Sequence, residues 1–154
     1  MIEGIPYQQA YVTDDLARAV DTLRAAGDVR TVIEFEGTSQ VTTPAGPTAI
    51  TCAFALVWIE DVQYELIAPL SDPQGMYTSS LPGEGQLLRF HHTALRVPDW
   101  DSFRARVDDQ PFPVAMERDT GELRFLYLDT RPLLGHYVEY VATSDEMWAR
   151  TGGR

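Results

Sequence analysis

Apolar and polar positions alternate along several short stretches of this chain, and twice the period lengthens from two to the helical 3.6. Residues 7–13 alternate and predict a strand. Asp14 or Asp15 then offers an N-cap. Leu16, Val20, Leu23 and Ala26 follow at helical spacing, and Gly27 ends the helix. Residues 31–35 are rich in β-branched side chains and predict a second strand. Residues 47–59 form a long apolar run, the pattern of a strand buried on much of both faces. Glu60 and Asp61 make a turn, and 62–68 is a fourth strand. Residues 71–88 are rich in proline, glycine and serine and read as a linker, with a helical turn around 75–79.

The same order then returns. Strand 89–97 leads to Pro98 and Asp99, which open a helix with Trp100, Phe103 and Val107 on its apolar stripe. Strands at 111–116, 123–128 and 136–141 complete it. The expected organisation is one α+β domain of two tandem βαβββ modules, residues 6–70 and 89–142, with a tail at 143–154 that holds a helical turn near 146–150 and then frays. The repeat extends to residue types. Gln8 and His92 each precede an alanine by two positions and an aspartate by seven (15 − 8 and 99 − 92). Each half also closes on a glutamate flanked by apolar or aromatic residues, Glu65 and Glu139. Self-similarity at this level marks an internal duplication.

Strand alternation gives these four residues a chemical meaning. Side chains two apart share a face, so Gln8 goes with Ala10 and Val12, and His92 with Ala94. Glu65 goes with Gln63 and Ile67, and Glu139 with Tyr137 and Val141. A polar group on such an apolar face needs a partner, and four that converge suit one divalent cation. The competing reading makes His92 a core histidine, and Glu65 and Glu139 solvated strand residues. The sites are otherwise few. His91 falls on the face opposite His92 and reads as structural; His136, on the face opposite Glu139, reads as structural or as part of the rim. Cys52 reads as a small core residue, and the three tryptophans as packing. Tyr127 lines the cleft or simply packs.

Composition narrows the partners. The net charge of −11 repels phosphate backbones and anionic membrane surfaces. We therefore expect neither nucleic acid nor membrane as partner. A single cysteine allows no internal disulfide and fits a reducing, cytoplasmic setting. The first residues, MIEGIPYQQAY, have no basic n-region or apolar h-region, so no leader is expected.

The stretches QQAYVTDDLARAV, VQYELIAPL, GEGQLLRFHHTALRVPDW, LRFLYLDT and LGHYVEYV resemble the vicinal oxygen chelate superfamily, which includes glyoxalases, bleomycin-resistance proteins and dioxygenases. The resemblance spans about residues 6–142 and is nearest to glyoxalase I and methylmalonyl-CoA epimerases. It departs in the extra residues between GEG and the histidine pair. It implies two βαβββ modules whose curved sheet forms a cleft, and a homodimer. It also implies one divalent ion (zinc, nickel, cobalt, manganese or magnesium) on Gln8, Glu65, His92 and Glu139. Glu139 would then be general base and Glu65 its counterpart, with Tyr127, Tyr137 and Gln63 touching a small-molecule substrate. The activity implied is a proton transfer beside a metal-bound carbonyl, as in an isomerase, epimerase or lyase. The alternative within the same fold is a protein that sequesters a small aromatic or toxic compound.

Overall fold

A computed structural model describes residues 3–154. It has the strands β1 (Ile5–Val12), β2 (Val29–Thr43), β3 (Gly46–Ile59), β4 (Val62–Ser71), β5 (Arg89–Arg96), β6 (Val114–Asp119), β7 (Leu123–Leu128) and β8 (Tyr137–Thr143). The helices are α1 (Leu16–Ala26), α2 (Trp100–Ala105), α3 (Arg131–Leu134) and α4 (Asp145–Arg150). All eight strands join one strongly curved sheet, closed as a barrel in the order β1-β4-β3-β2-β6-β7-β8-β5. The expected cleft between two modules is therefore the interior of a single barrel. β1 and β5 join along most of their length, whereas β2 meets β6 at one residue pair, Thr42 with Glu117.

Two helices cover the outside. On β4 and β8 the alternation sends Leu66, Val138 and Tyr140 outward. α1 presses Ala19 and Val20 onto Leu66, Ala55 and Val57. α2 sets Trp100 and Phe103 against Leu126, Val138 and Tyr140. Both helices start as the sequence predicts: Asp15 accepts from the Arg18 amide and Asp99 from the Ser102 amide.

Three predicted elements differ. β2 runs to Thr43 instead of 35. Gly37 and the polar residues after it end the apolar pattern, yet their backbone ladder to β3 continues to the turn at Gly46. β6 starts at Val114 because Pro111 and Pro113 bring no N–H to a ladder. The tail does not fray. Ser144 caps α4, Trp148 lies edge-on to Tyr7 and Trp58 at centroid distances of 5.1 and 5.7 Å, and Arg96 stacks on Trp148. The Thr151 carbonyl accepts from Trp58 Nε1 at 2.6 Å. Gly152, at φ +81°, passes so close to Trp58 that a Cβ would stand 2.7 Å from its Nε1, so the docked tail needs glycine there.

Candidate active site

The barrel register assembles the four predicted donors. Across β4, β1 and β5, Glu65, Ala10 and His92 lie side by side. Across β1, β5 and β8 the neighbouring row is Gln8, Ala94 and Glu139. Each row is a carboxylate, an alanine and a second donor, in opposite directions. The alanines, both fully buried, leave the floor on which the longer side chains meet.

Two β-bulges between β1 and β5 break strict alternation here. The register skips Tyr7 between Pro6 and Gln8, and His91 between Phe90 and His92. A bulge places two residues opposite one and re-aims side chains. Tyr7 accordingly joins Gln8 on the cavity wall, and His91 is buried beside His92 rather than on the opposite face. Period-two reasoning missed His91 for this reason. Gln9, by contrast, does point outward, where its Oε1 accepts from the Tyr11 hydroxyl.

His91 decides which nitrogen of His92 is bare. His91 Nε2 lies 3.0 Å from the Met76 carbonyl, and its Nδ1 lies 2.8 Å from His92 Nδ1. Burial, the largest cause in each case, pushes both imidazoles down to about 3, so both are neutral near pH 7. A carbonyl only accepts, so His91 Nε2 carries the hydrogen and its Nδ1 is an acceptor. His92 Nδ1 must then donate. Assigned from this network, His92 Nε2 presents a lone pair. It faces Glu139 Oε2 at 3.2 Å, Glu65 Oε2 at 3.5 Å and the Tyr127 hydroxyl at 3.4 Å. The expected outcome is direct: nitrogen-15 NMR of the three histidines finds His92 as its Nδ1–H tautomer in metal-free protein. An Nε2–H signal from His92 contradicts the relay.

Gln8 is oriented in a parallel way. Gln63 Nε2 donates to the Thr151 carbonyl at 3.2 Å, and Gln63 Oε1 accepts from Gln8 Nε2 at 2.5 Å. Gln8 Oε1 is left buried without a hydrogen-bond partner among the described residues. Such an orphaned acceptor costs about 1–3 kcal/mol.

The carboxylates carry the complementary strain. Burial, then the charge of Glu139, raises Glu65 well above the usual range. Burial raises Glu139 to about 8 against the opposing hydrogen bond from Tyr127. Cys52, pushed up to about 12 chiefly by burial, stays a thiol in the wall.

These shifts give a pH dependence. The unfolded chain protonates its histidines below ~6.5, which the folded chain resists, so stability falls as pH drops from there toward 3. The folded chain keeps carboxyl protons that the unfolded chain releases above ~4.5. That contribution is complete below ~4.5 and lost as pH rises through about 8. Above ~6.5 only the carboxyl trend remains. Metal-free protein should therefore lose melting temperature between pH ~6.5 and ~8.5, and Glu139→Gln should lose less. Thermal melts in chelator check this; a flat profile over that window contradicts it.

A cavity of about 420 Å³ opens over this floor. Gln8, Gln63, Glu65, Tyr127 and Glu139 line it, among walls that include Phe35, Phe54, Met116 and Phe125. His92 stands behind the two carboxylates rather than on the wall. Tyr137 is buried against His91 and under the Arg131 guanidinium, and is not a lining residue. Trp148 and Thr151 of the tail close one side. Among the described residues no group of three or more His, Cys, Asp or Glu forms a ready metal cluster; His92 meets each carboxylate in pairs.

With this geometry, the comparisons with known proteins fall into place. The sequence profile of the Glyoxalase/Bleomycin resistance protein/Dioxygenase superfamily matches residues 7–127, and the chain belongs to that superfamily. Comparison with curated protein sequences gives no match. Among solved structures the chain is similar to methylmalonyl-CoA epimerase from Mycobacterium tuberculosis, with TM-score 0.67, 17% identity and 97% of each chain covered. It is also similar to a Streptomyces coelicolor methylmalonyl-CoA epimerase in complex with 2-nitronate-propionyl-CoA, with TM-score 0.61 and 16% identity over 93% of this chain and 97% of that one. A Bacillus halodurans protein follows at TM-score 0.57 and 14% identity, over 94% and 97%. At these identities the likeness is one of fold. No helix among the described residues is long and apolar enough to cross a membrane.

Proposed function

We propose that this protein is a metal-dependent isomerase, epimerase or lyase that moves a proton beside a carbonyl of a small organic substrate. One observation carries the reading. The buried Glu139 and half-buried Glu65 side chains, both with raised pKa, face the lone pair of His92 Nε2, while the buried Gln8 Oε1 has no hydrogen-bond partner among the described residues. Once both carboxyl groups give up their protons all four are acceptors, and a divalent cation is the partner that suits them together. Gln8, Glu65, His92 and Glu139 would hold the ion, with one donor from the first and last strand of each of two tandem βαβββ halves.

When bound, the ion supplies Lewis-acid polarisation of a substrate oxygen, which acidifies the neighbouring C–H. Glu139 takes that proton at a carboxylate oxygen, and Glu65 holds or returns one on the opposite side of the reacting carbon. Tyr127, between Tyr77 and His92, offers its hydroxyl to substrate. Gln63 orients Gln8, and Tyr137 supports His91. Apolar walls keep water from the reacting carbon. We also read the protein as a cytoplasmic homodimer.

The apolar walls equally favour a second reading, a protein that sequesters a small hydrophobic compound. Deuterium exchange separates the two. With divalent ion restored, the enzyme should catalyse solvent deuterium uptake at the acidic C–H of some member of a panel of α-substituted thioesters and hydroxyketones, followed by proton NMR. Tight binding of hydrophobic compounds with no ion in any preparation and no exchange on the panel supports the binder.

A further inference from the structure

All twelve basic residues of this chain are arginines. Five of them pair with carboxylates on the surface: Arg24, Arg104, Arg124, Arg131 and Arg150. Arg118 is different. It follows Met116 on the inward face of β6 and is, among the described residues, the one basic residue lining the cavity. Although Glu122 lines the same cavity, no carboxylate among the described residues lies within ion-pair distance of Arg118. Its one hydrogen bond is from a terminal nitrogen to Ser39 Oγ at 2.9 Å, and its Nε–H is buried without an acceptor. Arg30 also has an unpaired Nε, but its guanidinium lies over the Trp58 ring and bonds the Gly152 carbonyl. A guanidinium beside apolar walls, with donors unspent, is suited to an oxyanion.

Its position relative to the carboxylates follows from register. Met116, Tyr127 and Glu139 lie in one row across β6, β7 and β8. Arg118, Phe125 and Val141 lie in the next inward row, two residues or ~7 Å along the barrel. Phe125 stands in the same row as Arg118, and Phe54 and Ile50 are among the apolar residues lining the same cavity.

We infer that Arg118, with Ser39, is an anion-binding subsite, and that the ligand is an organic acid with an apolar body. The oxyanion sits at Arg118, the apolar body spans the aromatic walls, and the opposite end reaches Glu65 and Glu139. The inference rests on the proposed function only for the role of that opposite end. The anion subsite needs neither metal nor turnover.

Two fluorescent probes with one aromatic body test it: 8-anilinonaphthalene-1-sulfonate and the neutral N-phenyl-1-naphthylamine. Both are titrated into the full chain in chelator, so failure of the metal-dependent reading leaves the result unaffected. The wild type should bind the sulfonate at least about tenfold more tightly than the neutral probe. Arg118→Gln should cost about tenfold for the sulfonate and leave neutral binding within about twofold, and Arg118→Lys should restore part of the loss. Unchanged neutral binding also certifies that the variant is folded. If Arg118 only ties β6 to β2 through Ser39, both probes weaken alike or neither changes. Either result overturns the inference, as do equal affinities in the wild type or failure to bind either probe.

Discussion

Glu139→Gln is expected to lower turnover by about 10²–10⁴-fold, the range that general acid–base catalysis contributes, while a divalent ion still binds. Glutamine keeps the shape and an oxygen donor but cannot take a proton. The buried Glu139 carboxylate, raised to about 8, is destabilised as an anion and so is a stronger base than an exposed glutamate. An ion beside it would bring that value back down and make the base available near neutrality. Glu65→Gln is expected to behave differently. If the two carboxylates flank the reacting carbon, it should block net inversion while Glu139 continues to exchange the C–H with solvent. Proton NMR in deuterium oxide separates the two events, washout of the signal from change of configuration. Unchanged turnover in Glu139→Gln removes it as base. Equal loss of washout in both variants removes the division of roles.

The parts of this site that were legible in the sequence share a cause. Gln8, Glu65, His92 and Glu139 each sit two residues from an apolar partner with no bulge in between, so alternation turned them inward, and the internal repeat set their offsets. The outward set was equally legible. Leu66 and Tyr140 sit beside the glutamates in sequence and pack under α1 and α2. What was not legible came from the long-range closure of the barrel. His91 turns inward because β5 bulges against β1, and nothing in Phe90-His91-His92-Thr93 announces a bulge. In sequence the tail reads as a fraying end because Trp148 alone is a weak signal. Its partners Tyr7, Trp58 and Arg96 come from three different strands. Arg118 was missed for the same reason: in sequence it is one charge in the run Glu117-Arg118-Asp119, and only the closed sheet turns it toward the cavity. Local pattern set the inward face where a strand is regular; closure of the barrel set the exceptions and decided which inward side chains meet.

His92→Ala should abolish stoichiometric divalent-ion binding, with affinity falling by more than the ~10–100-fold typical when an outer-shell partner of a ligand is lost. His92 Nε2 is within 3.5 Å of both carboxylates, so its removal takes away the one nitrogen donor and the group that brings the other two together. The effect is readable without any substrate. Ion at ~100 times its dissociation constant stabilises the fold by ~2.7 kcal/mol, so the wild type should gain several degrees of melting temperature on metal addition and the variant none. The relay supplies a graded control. His91→Phe keeps the imidazole of His92 but removes the acceptor that holds its Nδ1 proton, so some of the affinity should survive. The order wild type, His91→Phe, His92→Ala in metal-induced melting shift is therefore the expected one, with elemental analysis of chelator-free preparations as the direct count. Loss of stability alone cannot mimic it, because the shift is measured within each variant, with ion and without. Full retention of the metal-induced shift in His92→Ala would place the ion elsewhere, or nowhere, and leave two strained carboxylates in need of another explanation.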